Sequence, residues 1–224
     1  MMADAILFDF DGVLIESEEA SARHIADTLT ALGHATTPRQ AMGAFMGLSG
    51  ADFLAAVARW IGGPVPQAFH DARAAEDERI IAAGVAPVAG AVAFVRSLPA
   101  DLPVAIVSSS APRWIAAHLA HIGLADRFGA HLYSGREHVA RGKPAPDLYL
   151  HAAAMLGVPI GRCAIIEDSP VGVTGAVASG GHVIGLCAAT HCGPDHAALL
   201  RGLGAQAVAT DYDRIGALLD LTPA

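Results

Sequence analysis

Long apolar runs, basic clusters and paired cysteines are all missing from this sequence, and each absence excludes a class of protein. No segment approaches the roughly 18 uninterrupted apolar residues that a membrane-spanning helix needs, although 53% of the residues are hydrophobic. The first residues carry acids where a secretory signal has basic residues. Three cysteines without a CxxC pair favour a reducing compartment over a disulfide scaffold. We therefore expect a cytoplasmic protein with no membrane partner.

The charge balance is acidic. The chain has 14 Lys and Arg against 22 Asp and Glu, which gives a formal net charge of −8. Without a basic run, binding to nucleic acid is not expected. An acidic protein also repels phosphates at long range, so a phosphate site in this chain would have to supply its own local cations.

Cysteines and histidines show no spacing typical of metal ligands. Cys163 and Cys187 lie in apolar runs typical of strands, which favours buried thiols that behave as small hydrophobic groups. We interpret five scattered histidines as surface or capping residues: His131, His138, His151, His191 and His196.

Short apolar runs alternate with helical segments along most of the chain. Runs of five or six apolar residues separated by helices indicate βαβ units and a parallel sheet with helices on both faces. The predicted strands lie in 4–10, 103–110, 163–169, 182–187 and 206–210, and predicted helices in 112–122, 146–156, 170–179 and 211–219. The fold class is therefore α/β.

The interval from 17 to 85 is different, because it is helical almost throughout and has no strand-like run. A helical block between the first strand and the rest of a sheet indicates an inserted cap. We therefore predict a core of residues 1–16 and 86–224 and a helical cap of residues 17–85.

The first predicted strand ends in an acid-x-acid segment, Asp9–Phe10–Asp11, followed by Gly12. Side chains alternate along a strand, so the two carboxylates point to the same side. Like charges so close require a cation or the protonation of one acid. One acid would then serve as nucleophile and metal ligand and the other as proton donor, but a turn with an N-cap aspartate explains the segment as well.

Three more polar clusters follow predicted strands or lie beside them. Hydroxyl groups in Ser108–Ser110 suit an anion site at the start of a helix. Lys143 lies on a Gly/Pro-containing loop and offers a compact positive charge for a phosphoryl group. Glu167 and Asp168 offer the hard oxygen ligands that Mg²⁺ prefers. Helix capping or a solvated lysine explains each cluster alone, but open parallel sheets bind ligands where their strands end.

The four motifs together resemble the haloacid dehalogenase superfamily, in the order DFDGV from Asp9, Ser108 after an apolar run, GKPAPD with Lys143, and Glu167–Asp168. The resemblance covers essentially the whole chain. It is greatest to the branch that contains beta-phosphoglucomutase and sugar-phosphate phosphatases, and to 6-phosphogluconate phosphatases in particular. The resemblance implies a Rossmann-like core with a small helical cap.

The resemblance also implies a role for each motif. Asp9 attacks phosphorus and binds Mg²⁺, while Asp11 is the general acid and then the base and binds the metal through its backbone carbonyl. Ser108 and Lys143 bind the phosphoryl group, together with Ser109, where many relatives have asparagine. Metal ligands are completed by Asp168, with Glu167 bound directly or through water.

Three rival functions stay open at the level of sequence. Dehalogenases of this superfamily lack the second acid, so Asp11 argues against dehalogenation. Beta-phosphoglucomutases carry a histidine where this chain has Ser21 and a cap arginine where it has Gly47–Gly50, which favours hydrolysis over a second phosphoryl transfer. A binding module without activity would be expected to have lost one of the acids.

The substrate class is the least determined expectation. We expect a small phosphorylated metabolite, with sugar phosphates or phosphorylated sugar acids ahead of phosphoglycolate and nucleotide monophosphates. Glu18, Ser49 and cap residues between about 45 and 80 are the candidates for substrate selection, whereas Arg73 and Arg79 are interpreted as solvated. The assembly is expected to be a monomer or a small homo-oligomer.

Overall fold

A computed structural model describes residues 3–48 and 50–220 of the chain. Six strands form one sheet in which all pairs are parallel, in the order β3-β2-β1-β4-β5-β6. The strands are β1 (Ala5–Phe8), β2 (Val104–Ser108), β3 (Leu132–Ser134), β4 (Cys163–Glu167), β5 (His182–Leu186) and β6 (Ala207–Ala209). The first strand of the chain is therefore central in the sheet.

Eleven α-helices are found in the described part of the chain, with a short 3₁₀ helix at Ile160–Arg162. The first four are α1 (Glu18–Ala31), α2 (Pro38–Phe45), α3 (Gly50–Ile61) and α4 (Gln67–Ala83). The others are α5 (Ala91–Ser97), α6 (Pro112–His121), α7 (Ala125–Phe128), α8 (Asp147–Leu156), α9 (Pro170–Ser179), α10 (His196–Gly202) and α11 (Tyr212–Leu218). In the described residues, no helix is long and apolar enough to cross a membrane.

The sheet has an apolar core on each face because side chains alternate along its strands. In β1, Ile6 and Phe8 belong to one core cluster, while Ala5 and Leu7 belong to the other. Helices cover both faces, so the buried strands are apolar on both sides, as is typical of parallel sheets.

Helices α1 to α4 surround a third hydrophobic cluster of their own, which includes Leu29, Phe45 and Phe69. Thr37 and Gln40 begin α2 with a reciprocal capping box. A helical segment of this kind, with a core separate from those of the sheet, agrees with an inserted cap. The division into residues 17–85 and the remainder stays a prediction.

Strand register brings the candidate site residues to one edge of the sheet. Phe8 pairs with Ile166 of β4 and with Ile106 of β2, and the Asp9 amide donates to the Ile166 carbonyl at 2.9 Å. The residues that follow β1, β2 and β4 therefore meet at the carboxyl end of the sheet.

The expected α/β fold with a parallel sheet is confirmed. Each predicted strand and each predicted helix of the core has a counterpart, although the strands are shorter than the apolar runs. Strand β3 and helices α5, α7 and α10 were not predicted, because segments of three to seven residues are too short for a period to be recognised.

Candidate active site

A buried lysine lies between two carboxylates at the carboxyl end of the sheet. Lys143 Nζ donates to Asp9 Oδ1 at 2.7 Å and to Glu167 Oε1 at 2.5 Å. Asp9 is 7% exposed, Lys143 8% and Glu167 0%. The expected local cation is therefore present beside the first strand-end acid.

Tyr149, on α8, fixes the Glu167 carboxylate from the other side. Its hydroxyl group is 2.6 Å from Glu167 Oε1 and 2.9 Å from the carbonyl oxygen of Gly172. A Cβ atom at Gly172 would collide with the Glu167 carboxylate, so only glycine allows α9 to approach so closely. Glu167 is thus oriented by packing as well as by Lys143.

Both carboxylate oxygens of Asp168 are buried and have no hydrogen-bond partner among the described residues. His191 Nε2 lies 3.0 Å from Asp168 Oδ2 but makes no hydrogen bond with it. Buried and unpaired carboxylate oxygens are costly unless a cation binds them. These oxygens therefore suit a hard cation.

Asp9, Glu167 and Asp168 each place a carboxylate oxygen within 4.8 Å of those of the other two. If all three are ionised, their three negative charges exceed the single positive charge of Lys143 by two. Oxygen ligands at this density and a net charge of −2 are the donor set that a divalent cation such as Mg²⁺ requires. The residues present therefore fit the metal that the sequence implied.

The pKa values reflect the same excess of negative charge. Burial raises the pKa of Asp9 well above its usual value, and the negative charge of Glu167 adds to the rise. Burial and Glu167 have the same effect on the pKa of Asp168. Burial alone would lower the pKa of Lys143, but the Asp9 and Glu167 carboxylates outweigh it and raise that pKa.

Asp11 has a different environment, with three hydrogen-bond donors around its side chain. Ser17 Oγ donates to Oδ1 and Ser110 Oγ to Oδ2, both at 2.6 Å. The Trp114 indole nitrogen donates to Oδ1 at 3.0 Å. Ser17 immediately precedes α1, so Asp11 connects the sheet with the first helix of the expected cap.

The serine cluster after β2 has three distinct positions. Ser108 is buried, and its hydroxyl oxygen accepts from the Ser110 amide at 3.0 Å. The Ser109 carbonyl oxygen accepts from Arg136 Nε at 3.1 Å. All three serines line the cavity described next.

A cavity of about 440 Å³ lies between the sheet edge and helices α1 to α4. Asp9, Asp11 and Lys143 lie at its base. Polar residues from the helical side include Glu18 and Arg73, and Arg136 lines it from the sheet side. This size is within the range of small-molecule sites.

Glu18, a candidate for substrate selection, has its pKa raised to about 8 by burial and by the negative charge of Asp11. The expectation that Arg73 is solvated is wrong, since its side chain is only 24% exposed and the residue lines the cavity. Arg79 is 65% exposed and solvated as expected. Ser49 lies outside the described residues.

Two of the histidines that were expected to be surface or capping residues lie against Asp168. The His191 side chain is 2% exposed and lies against Asp168, and His196 Nε2 is 2.5 Å from the Asp168 carbonyl oxygen. Both histidines are more than twenty residues from Asp168 in the sequence, so no local pattern could predict these contacts. Of the cysteines, Cys163 is buried as expected, but Cys187 is only partly buried.

The structure thus brings Asp9, Lys143, Glu167 and Asp168 into one cluster, with Ser108 and Ser109 on the wall of the same cavity. The Asp11 side chain lies in the same cavity, held by other partners. Contacts that sequence reasoning missed come from Ser17, Ser110, Trp114 and Tyr149. Ser110 was part of a recognised polar cluster, whereas Trp114 and Tyr149 carried no local signal.

Comparison with known proteins gives the family of the chain. A sequence model of the haloacid dehalogenase-like hydrolases matches residues 3–180. The chain belongs to this family. The expected family and the expectation of a hydrolase are therefore confirmed.

Curated relatives cover most of the haloacid dehalogenase-like chain. Hexitol phosphatase A of Escherichia coli is 32% identical over 187 residues, which are 82% of this chain and 83% of the relative. The 6-phosphogluconate phosphatase of Escherichia coli is 26% identical over 85% of this chain and 86% of its own length.

Among solved structures, a HAD family hydrolase from Deinococcus radiodurans R1 with bound phosphate and sodium has a TM-score of 0.80. It is 35% identical and the match covers 99% of each chain. The fold of nearly the whole chain is therefore shared with this relative.

Replacement of Asp168 by asparagine should stabilise the metal-free protein and remove its response to Mg²⁺. The variant removes a buried charge whose oxygens accept no hydrogen bond in the described part of the chain, for which we expect a gain of about 1–3 kcal/mol at pH 8. Folding raises the pKa of Asp168. The stabilising contribution of protonated Asp168 is therefore complete below its pKa in the unfolded chain and is lost as pH rises through its pKa in the folded chain. The gain should therefore grow over that range.

Thermal melting with and without Mg²⁺ measures both effects. Asp101, an exposed acid before β2, gives the matched control Asp101→Asn, which should keep the Mg²⁺ response. Equal stabilisation of wild type and Asp168→Asn by Mg²⁺ would contradict the assignment of Asp168 to a cation site.

Proposed function

We propose that this chain is a Mg²⁺-dependent phosphatase that hydrolyses a small phosphorylated sugar or sugar acid through an aspartyl-phosphate on Asp9. The single observation that carries the proposal is the buried cluster of Lys143 with Asp9, Glu167 and Asp168, in which Asp9 and Lys143 also line a cavity. Relatives named hexitol phosphatase and 6-phosphogluconate phosphatase support a substrate of this class.

In the first step, a carboxylate oxygen of Asp9 attacks phosphorus and the bond from phosphorus to the leaving oxygen breaks. Asp11 gives its proton to that oxygen, and the alcohol departs. In the second step, water loses a proton to Asp11 and attacks the same phosphorus, which releases inorganic phosphate and restores the Asp9 carboxylate. The sequence of steps needs one acid that alternates between two protonation states.

Lys143 and Ser108 hold the phosphoryl group in this scheme. The ammonium group already lies 2.7 Å from Asp9, so it is placed to bind an oxygen of the group that Asp9 attacks. Fixed charges in a site shielded from water stabilise developing negative charge far better than they do in bulk solvent. The positive charge of Lys143 lowers the Asp9 pKa and so favours the ionised nucleophile, but it does not outweigh burial, which raises that pKa.

The Asp9, Glu167 and Asp168 carboxylates, with the backbone carbonyl of Asp11, would hold the Mg²⁺ ion. When bound, Mg²⁺ supplies positive charge that neutralises the phosphoryl oxygens. The protein must then position the substrate in line with Asp9, which is the part that Lys143, Ser108 and the cavity wall perform.

Asp11 can act as an acid only if at least one of its present hydrogen bonds is replaced by a bond to the substrate. The hydroxyl groups of Ser17 and Ser110 and the indole of Trp114 all donate to it, so a protonated Asp11 would face three donors. A leaving oxygen that accepts the proton would replace at least one of these contacts. Ser17, next to α1, is the partner whose release depends on the helical segment.

Replacement of Asp9 by asparagine should abolish turnover, because an amide cannot form the phosphoenzyme. We expect a loss on the order of 10⁴–10⁶-fold in kcat, measured as phosphate release from p-nitrophenyl phosphate with Mg²⁺. Asp101→Asn is the matched control and should keep full activity. Substantial turnover by Asp9→Asn would exclude the covalent mechanism.

Asp11→Asn should have an effect that depends on the leaving group. For sugar phosphates, we expect a loss of about 10²–10⁴-fold, since the alkoxide leaves poorly without a proton. For p-nitrophenyl phosphate, the loss should be much smaller, because its phenolate leaves without protonation. Equal losses for the two substrates in parallel assays would argue against an acid role.

The Arg73 side chain should recognise a part of the substrate remote from phosphorus. Arg73→Ala should raise KM for the preferred substrate about 10–100-fold, equivalent to a charged hydrogen bond, with little change in kcat. Arg79→Ala, on the same helix but exposed, is the matched control. If the two variants had the same KM for this substrate, a role of Arg73 in substrate binding would be excluded.

A phosphate-release screen across sugar phosphates, phosphorylated sugar acids, phosphoglycolate and nucleotide monophosphates tests the substrate class. The expected result is hydrolysis of a phosphorylated sugar or sugar acid that EDTA stops and Mg²⁺ restores. Faster interconversion of sugar 1- and 6-phosphates than phosphate release would indicate a mutase instead.

A further inference from the structure

A second cluster of side chains of the types that bind metals lies next to Asp168 of the acidic site. Cys187 follows β5, Cys192 lies in the next loop, and His196 begins α10. Each offers a ligand atom within 4.8 Å of the ligand atoms of the other two. All three are partly exposed, so an ion can reach them from solvent.

One nitrogen of the His196 ring already has a hydrogen-bond partner. Its Nε2 lies 2.5 Å from the Asp168 carbonyl oxygen, which can only accept, so Nε2 is the protonated nitrogen. This leaves Nδ1 as the nitrogen with a lone pair. Histidines that bind metals commonly donate their other ring N–H to a carbonyl or carboxylate in this way.

The chemistry of this cluster differs from that of the acidic site. Two sulfur atoms and one imidazole nitrogen prefer Zn²⁺ or similar ions, whereas Mg²⁺ prefers oxygen. Three protein ligands of these types leave the fourth tetrahedral position to water. Two thiolates also balance the charge of one divalent ion.

We propose that Cys187, Cys192 and His196 form a Zn²⁺ site, distinct from the Mg²⁺ site of the phosphatase. Binding releases the protons of both thiols to solvent as two Zn–S bonds form, with no change in oxidation state. The bound ion ties the loop after β5 to α10 and, through His196, to the backbone of Asp168. His191, whose Nε2 is 3.5 Å from the Cys192 sulfur, lies between the two sites.

Cobalt titration of the reduced, metal-free full chain tests the site, with excess Mg²⁺ present to occupy the acidic cluster. Co²⁺ bound by thiolates gives a sulfur-to-metal charge-transfer band that Co²⁺ bound by carboxylates does not. We expect this band to saturate at one equivalent and to disappear when Zn²⁺ displaces Co²⁺. The signal is independent of phosphatase activity.

Variants identify the ligands. Cys187→Ala and Cys192→Ala should lose the band, and His196→Ala should weaken Co²⁺ binding at least tenfold. Cys163→Ala, which removes a thiol from β4, is the matched control and should keep the band. Circular dichroism establishes that each variant is folded.

Three outcomes would overturn the proposal. One is a reduced wild-type chain that gives no band. Another is a band that persists in folded Cys187→Ala or Cys192→Ala. The third is a Cys187–Cys192 disulfide, detected by mass, that re-forms in the presence of Zn²⁺, which would mark a redox pair instead of a metal site.

Discussion

The Lys143 ammonium group, shared between Asp9 and Glu167, is the interaction on which the arrangement of the site depends. Removing an ion from water costs several kcal/mol, and a buried pair offsets that cost only with good geometry and further hydrogen bonds. Here, one cation bonds two acids while Tyr149 fixes the second of them. Without Lys143, three carboxylates would lie together with no positive charge among them.

Strand register and two glycines make that arrangement sterically feasible. Pairing of Phe8 with Ile166 sets Asp9 beside Glu167, since Asp9 directly follows Phe8 at the end of β1 and Glu167 follows Ile166 in β4. A Cβ atom at Gly12, which has a φ of +79°, would collide with the Asp168 carboxylate. The electrostatics of the site therefore rest on backbone geometry that only small residues permit at these positions.

Sequence alone predicted most of what is local and little of what is distant. Continuous apolar runs located the strands, and acids at their ends located Asp9 and Asp168, since parallel strands end at one edge. The partners of Asp11 could not be predicted, because Ser110 and Trp114 are about a hundred residues away from it. Nor could the approach of His196 to Asp168, which depends on how a seven-residue helix is placed. Arg73 looked solvated because the charge pattern of α4 does not reveal which face meets the cavity.

The central place of β1 has a consequence for how the chain is made. Both of its neighbours, β2 and β4, are encoded about a hundred residues or more downstream. During synthesis, the first apolar strand therefore leaves the ribosome with both edges unpaired, and α1 to α4 emerge before either neighbour. Such pairings across long sequence separations fold slowly and expose strand edges to aggregation. The topology that brings the acids to one edge of the sheet also means that the nascent chain cannot pair β1 until β2 and β4 have been synthesised.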